Sequence, residues 1–185
     1  MTESDLPRPE VPHVIAVVRD FVNTTDHETG IDDLTTQADL ARYVVQQHLL
    51  ERPPRVSASD LALARELRAE LRKGLEMNHD GVVGVSPSPT SALRSLPIGM
   101  DWGADGPALR VTTTGVRGAL AKIGLAAHEA VAQGIWQRLK ICSFDECEWA
   151  YYDNSKNRSR NWCEFGCGNI VKTRAYRTRR ASAAP

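Results

Sequence analysis

For its first 141 residues this chain has no cysteine, and nowhere does an apolar run approach the 18 residues that mark a membrane-crossing helix. The first absence confines thiol chemistry to the last quarter of the chain; the second excludes an apolar span. Residues 1–12 lack the basic stretch and apolar stretch of a secretory leader and carry Asp, Glu and Pro instead, so a cytoplasmic protein is expected. Catalytic signatures are missing as well. The five histidines (His13, His27, His48, His79 and His128) include no pair at metal-ligand spacing, and there is no G-x-S-x-G, Walker A or H-E-x-x-H run. The chain is therefore read as no enzyme. Gly81 and Gly84 form an isolated glycine pair, for which loop geometry is a simpler cause than phosphate binding.

With 42% hydrophobic residues, 185 residues suffice for one ordinary core and a small appendage. The formal net charge of zero conceals a separation. Residues 1–137 hold 13 Lys and Arg against 18 Asp and Glu, whereas residues 138–185 hold 10 against 5. Between 156 and 180 eight cations (Lys156, Arg158, Arg160, Lys172, Arg174, Arg177, Arg179 and Arg180) face one acid, Glu164. Such asymmetry points to a polyanionic partner at one end, against the plainer reading of a solvated basic tail. Two domains are expected, 1–137 and 138–185.

Helical periodicity dominates the first. Leu34, Ala38, Ala41, Val45 and Leu49 form one stripe of a helix that Thr36 and Asp39 open as a capping box, running from about Gln37 to Leu50 before Pro53 and Pro54 stop it. Ser57 and Asp60 open a second helix bearing Leu61, Ala64, Leu67, Leu71 and Leu75. Residues 80–89 read as a loop and residues 90–96 as a short helix. Alternation at Ile98, Met100 and Trp102, and again at Leu109, Val111 and Thr113, predicts a hairpin. A helix carrying Val116, Leu120, Ile123, Ala127, Val131 and Ile135 follows; Gly118, Gly124 and Gly134 would weaken it, so close packing is expected to hold it. Val14 to Val22 is ambiguous between helix and strand. Asp20, Asn23, Asp26 and His27 are a polar cluster that could line an effector pocket or simply form caps and turns.

All four cysteines lie within 26 residues, as Cys142-x4-Cys147 and Cys163-x3-Cys167. A reducing cytosol disfavours disulfides, and unrelated buried thiols have no reason to cluster, so metal binding is the reading. Four thiolates close a tetrahedral zinc site and leave no place for water, which makes the ion structural. An iron–sulfur cluster also takes four thiolates, although it commonly shows C-x2-C spacings. Residues 148–153 read as an aromatic strand, residues 154–157 as its turn, and residues 168–180 as a basic helix with Ile170, Val171 and Ala175 inward. Five cations on that helix suit phosphate contact, with Asn169, Thr173 and individual arginines available to bases. Tyr151, Tyr152 and Trp162 offer stacking for unpaired bases, the RNA alternative, although Trp162 adjoins a ligand and is better used in packing.

Cys142-x4-Cys147, Tyr151-Tyr152-Asp153-Asn154-Ser155, Arg160-Asn161-Trp162-Cys163 and Cys167-Gly168-Asn169 resemble the CGNR zinc finger. Asp20-Phe21-Val22-Asn23-Thr24 and the segment from Leu34 to Leu40 resemble the ABATE domain that usually precedes it. The resemblance covers nearly the whole chain and implies a bacterial, stress-linked transcription regulator with a mostly helical N-terminal domain, a DNA-binding zinc finger and the four cysteines as ligands. Ile170 stands where the family pattern has Arg. The expectation is a mainly α protein: a helical domain with a small hairpin that binds an effector or mediates a homodimer, then a four-cysteine module with a short hairpin and a basic helix on double-stranded DNA. The alternatives are a zinc-stabilised protein-interaction module without DNA binding, or an iron–sulfur or small-molecule sensor.

Overall fold

The computed structural model describes residues 10–81 and 91–182. The loop expected after Asp80, the glycine pair beyond Gly81 itself and Thr90 lie outside the described residues. Helix α1 (His13–Val22) settles the ambiguity of that segment: Ile15, Val18, Phe21 and Val22 recur at helical spacing and are all buried. Helices α2 (Gln37–Gln46) and α3 (Ala58–Asp80) both open with the expected capping boxes. In each, the Thr36 or Ser57 hydroxyl accepts the amide of the acid three residues on, and that acid returns the bond. Thr36 and Thr35 hold the Asp39 carboxyl at about 2.

Helix α2 is shorter than its sequence stripe suggested. The amides of Leu49 and Leu50 both turn back to the Val44 carbonyl, at 2.9 and 3.0 Å, and His48 takes a positive φ of 54°, so the helix ends well before the prolines. Its buried face also differs from the predicted one. Leu40, Tyr43 and Val44 are buried while Ala38 is exposed, because the larger side chains offer more apolar area than the alanines. Leu49 is buried by the turn and not by the helix.

Helix α4 (Ser91–Ser95) begins on the Glu70 carboxylate of α3, which accepts the amides of Ala92 and Leu93. Strands β1 (Ile98–Gly103) and β2 (Gly106–Val111) pair antiparallel from Ile98 opposite Val111 to Gly103 opposite Gly106. Helix α5 (Gly115–Ala132) then crosses the core and buries Val116, Leu120, Ile123 and Ala127. Two of its glycines are there for proximity. A Cβ at Gly118 would collide with the backbone carbonyl of Thr113, and one at Gly124 with the end of Leu96. Val131, in the last turn of the helix, is exposed, and the expected stripe runs past the real helix end, where Gly134, at φ 68°, turns the chain before Ile135.

A single 3-10 turn (Trp136–Arg138) leads to β3 (Leu139–Ile141), which pairs antiparallel with β4 (Ala150–Tyr152). Leu139, Ile141 and Ala150 are buried in the same apolar cluster as Ile15, Leu67 and Leu120. The second hairpin thus closes the main core from one side while carrying the cysteine loops on the other. Helix α6 (Cys167–Ser182) ends the described chain. The architecture is mostly helical with two small antiparallel hairpins, and among the described residues no helix is long and apolar enough to cross a membrane.

Candidate metal centre and its cationic helix

Each cysteine is delivered by a different local device. Cys142 follows β3 directly, its amide donating to the Trp149 carbonyl at 2.9 Å. Cys147 sits in a tight turn, its amide bonded to the Phe144 carbonyl, and Glu148 completes that turn with a positive φ of 46°. The amide of Cys163 points at the Cys142 sulfur, 3.4 Å away. Gly166, at φ 88°, swings the chain so that Cys167 becomes the first residue of α6.

The four sulfurs lie within 4.8 Å of one another and all four residues are buried. Cys147 and Cys163 are 3.7 Å apart, Cys163 and Cys167 3.5 Å. A tetrahedron with metal–sulfur bonds of about 2.3 Å has edges of about 3.8 Å, so the cage fits one ion. Thiolates bound to the separate irons of a cluster stand farther apart than these do. Burial pushes the Cys147 and Cys163 thiols up to about 12 and Cys167 to about 11. Binding a divalent ion at neutral pH therefore releases protons. Phe144, Trp149 and Trp162 wall the cage, with Tyr151 fully buried beneath it.

The loop that returns the chain between the cysteine pairs hangs on one buried carboxylate. Asp153, wholly buried, meets Lys140 at 2.8 Å and accepts hydrogen bonds from Ser155 and the Arg160 amide. Burial acts to raise its carboxyl, but the bonds from Lys140 and Ser155 outweigh this and hold it below the ordinary range. Sequence patterning does not single out Lys140; its one signal is a lysine between Leu139 and Ile141, both apolar. Arg160 works locally, donating to the Trp162 carbonyl and lying 5.5 Å from the Tyr151 ring. Arg158 reaches Gln137, and Lys156 is exposed.

Helix α6 buries only Cys167. Ile170 and Ala175, expected inward, are exposed, and Val171 is only partly covered, because no other element lies along the helix beyond its first turn. Gly168 packs against Trp162, with Lys172 5.8 Å above that ring. Arg174 pairs with Glu146 at 2.7 Å and lies over Phe144. At 3.6 residues per turn, Asn169, Thr173, Tyr176 and Arg180 share one line, with Lys172 and Arg179 on one flank and Arg174 and Arg177 on the other.

Residues 138–180 match the family model of the CGNR zinc finger. Residues 16–135 match ABATE, described as "Putative stress-induced transcription regulator". The chain belongs to the ABATE family. Among curated proteins none matches it.

In this ABATE chain the Asp-Phe-Val-Asn-Thr segment carries a structural device beyond the pocket or local turns expected of it. The Asn23 amide donates to the Ala150 carbonyl at 2.9 Å and accepts the Ala150 amide at 2.8 Å, acting as one more strand partner for β4. Arg72 of α3 adds a bond to the Glu148 carbonyl. Of the four polar candidates, Asp20 and Asn23 line a cavity of about 370 Å³. Asp26 instead forms a turn with the amides of Glu28 and Thr29, and His27 lies 3.1 Å from Glu148.

Proposed function

We propose that this protein is a non-enzymatic, cytoplasmic transcription regulator that binds double-stranded DNA through α6, with a structural zinc ion fixing the root of that helix. One observation carries the reading: from Lys172 to Ser182 every residue of α6 is exposed. Lys172, Arg177, Arg179 and Arg180 have no carboxylate partner among the described residues. A helix of 16 residues is about 24 Å long and of a size that a major groove admits. The central line of Asn169, Thr173, Tyr176 and Arg180 is available to base edges, and the flanking cations to phosphates. Four thiolates leave no open coordination position, which supports a structural ion and not a catalytic one.

Four unpaired cations predict that log affinity falls with log salt at a slope of about −3.6, shallower than five cations would give, because Arg174 is held by Glu146. Fluorescence anisotropy of the zinc-loaded protein on genomic and random duplexes measures this. Salt-insensitive binding, or none to either duplex, defeats the reading in favour of a protein-interaction module. The stacking alternative for single strands is less well supported, since Tyr151 is fully buried and Trp162 is packed on Gly168.

A further inference from the structure

The hairpin of β1 and β2 serves neither the metal centre nor α6, and one of its faces is uncovered among the described residues. Strand alternation puts Ile98, Met100 and Trp102 on that face together with their cross-strand partners Val111, Leu109 and Pro107. At the base, Ile98 and Val111 pack against the apolar interior. Farther out the face meets solvent. Met100 is 72% exposed and Trp102 75%, the highest values of any large apolar side chain among the described residues. Pro107 is exposed beside Trp102, Leu109 is half-buried beside Met100, and no charged residue lies on the face.

The surroundings of the face narrow what it can take. Strand addition is disfavoured because the free edges are blunted: the Trp102 amide donates to the Asp101 carboxylate at 2.8 Å, the Ile98 amide donates to the Leu96 carbonyl at 2.8 Å, and Pro107 has no amide. A polyanion or an anionic membrane is disfavoured too, since the outer hairpin carries Asp101 and Asp105 against Arg110 alone. The remaining fit is an apolar, uncharged protein surface, and a second copy of the chain presents one. The four outer side chains expose roughly 400 Å², so a symmetric pair removes roughly 800 Å² from water. That is the low end of specific interfaces and suits a weak, reversible dimer.

We infer that this face docks onto the same face of a second copy about a two-fold axis, with the two hairpins antiparallel. That arrangement sets the Trp102 ring of each copy against the Met100 thioether of the other, a favourable sulfur–aromatic contact, and Leu109 against Pro107. It also holds the two Asp105 turns at opposite ends, whereas a parallel arrangement would bring them together. The inference goes beyond DNA binding and does not depend on it.

Sedimentation of the full-length, zinc-loaded chain across a concentration series tests it. A reversible monomer–dimer equilibrium is expected, with a dissociation constant on the order of 10 μM, and it should survive about 0.5 M salt. Trp102→Glu and Met100→Glu should each weaken the dimer roughly 100-fold, because each charge enters the interface twice. Both should leave the melting temperature of the dilute protein unchanged, since both side chains stand in solvent in the single chain. Ile31→Glu, at an apolar side chain 59% exposed elsewhere on the surface, should dimerise as the wild type does. A wild-type chain that stays monomeric at about 200 μM overturns the inference. So does a dimer that both hairpin variants leave intact or that Ile31→Glu disrupts equally. A dimer that salt dissolves overturns it as well, because such a dimer would join the basic α6 of one copy to the acidic helical region of another.

Discussion

The helical region buries Ile15, Phe21, Leu67 and Leu120 against one another, whereas the metal module buries four thiols and Tyr151 and leaves its other aromatics at the edge. One interior is made of apolar area and the other of ligands. At about 25 cal/mol per Å², the second has too little buried apolar surface to order a loop and a helix without help. An ion held by the four thiolates would supply what packing does not. The boundary between the two is not where the cysteines begin, however, because β3 and β4 belong to the apolar interior through Leu139, Ile141 and Ala150.

That placement makes the largest prediction specific. Chelation, or Cys163→Ala, should remove on the order of 10 kcal/mol of binding free energy from the module. Hydrogen exchange should then show α6 and the loops at 142–149 and 153–166 losing protection, with α1, α3, α5 and the β3–β4 pair retaining theirs. Loss of protection throughout the chain would mean that the apolar interior also depends on the ion. Next in size is Asp153→Asn. The variant leaves Lys140 buried without its counter-charge and should cost about 3–5 kcal/mol in urea unfolding. The sign with pH follows from the lowered Asp153 carboxyl: its contribution is present above the unfolded value and is lost as pH falls through the lower folded one. The wild-type protein should therefore lose stability on the acid side, and the variant should show a flatter acid limb.

Smaller changes probe the joint and the core. Asn23→Ala leaves both the amide and the carbonyl of Ala150 without their partner, at a cost of about 2–4 kcal/mol. Asn23→Asp should recover part of this, since it still accepts the Ala150 amide. An Asn23→Ala variant as stable as wild type would show that β4 is held by packing alone. Within the apolar interior, Gly118→Ala should destabilise by about 1–3 kcal/mol, because the new methyl meets the Thr113 backbone. Gly124→Ala should cost less, since the Leu96 side chain can move and Ala favours helix by about 1 kcal/mol.

The two regions were unequally legible in the sequence. Helix starts were readable because capping is chemistry within four residues, as at Thr36 and Ser57. The α2 terminus was not, because it depends on how the turn through His48 packs Leu49. The cysteines were legible as a set, since a reduced chain gathers four thiols into so short a window chiefly to hold a metal. Their supports were not: Lys140 with Asp153, and Asn23 with Ala150 across 127 positions, are pairings that only the fold creates. The inward face expected for α6 failed for the opposite reason, that the helix has nothing to pack against beyond its anchor.

The smallest effect separates anchor from surface. Ile170 is 42% exposed, one turn before Arg174 and two before Arg177, on a flank of the cationic face. Ile170→Arg adds a charge without touching the sulfur cage and exchanges a β-branched side chain for a better helix former. Metal content and melting temperature should stay unchanged, while the salt slope of DNA binding steepens by about 0.9. Glu146→Gln, which frees Arg174 one turn further along the helix, should steepen it by a similar amount. If Ile170→Arg lowers metal affinity instead, the first turn of α6 is part of the cage and not a surface built upon it. If metal is retained and neither variant alters the slope, the face that binds DNA is elsewhere, and the exposed cations of α6 serve another partner.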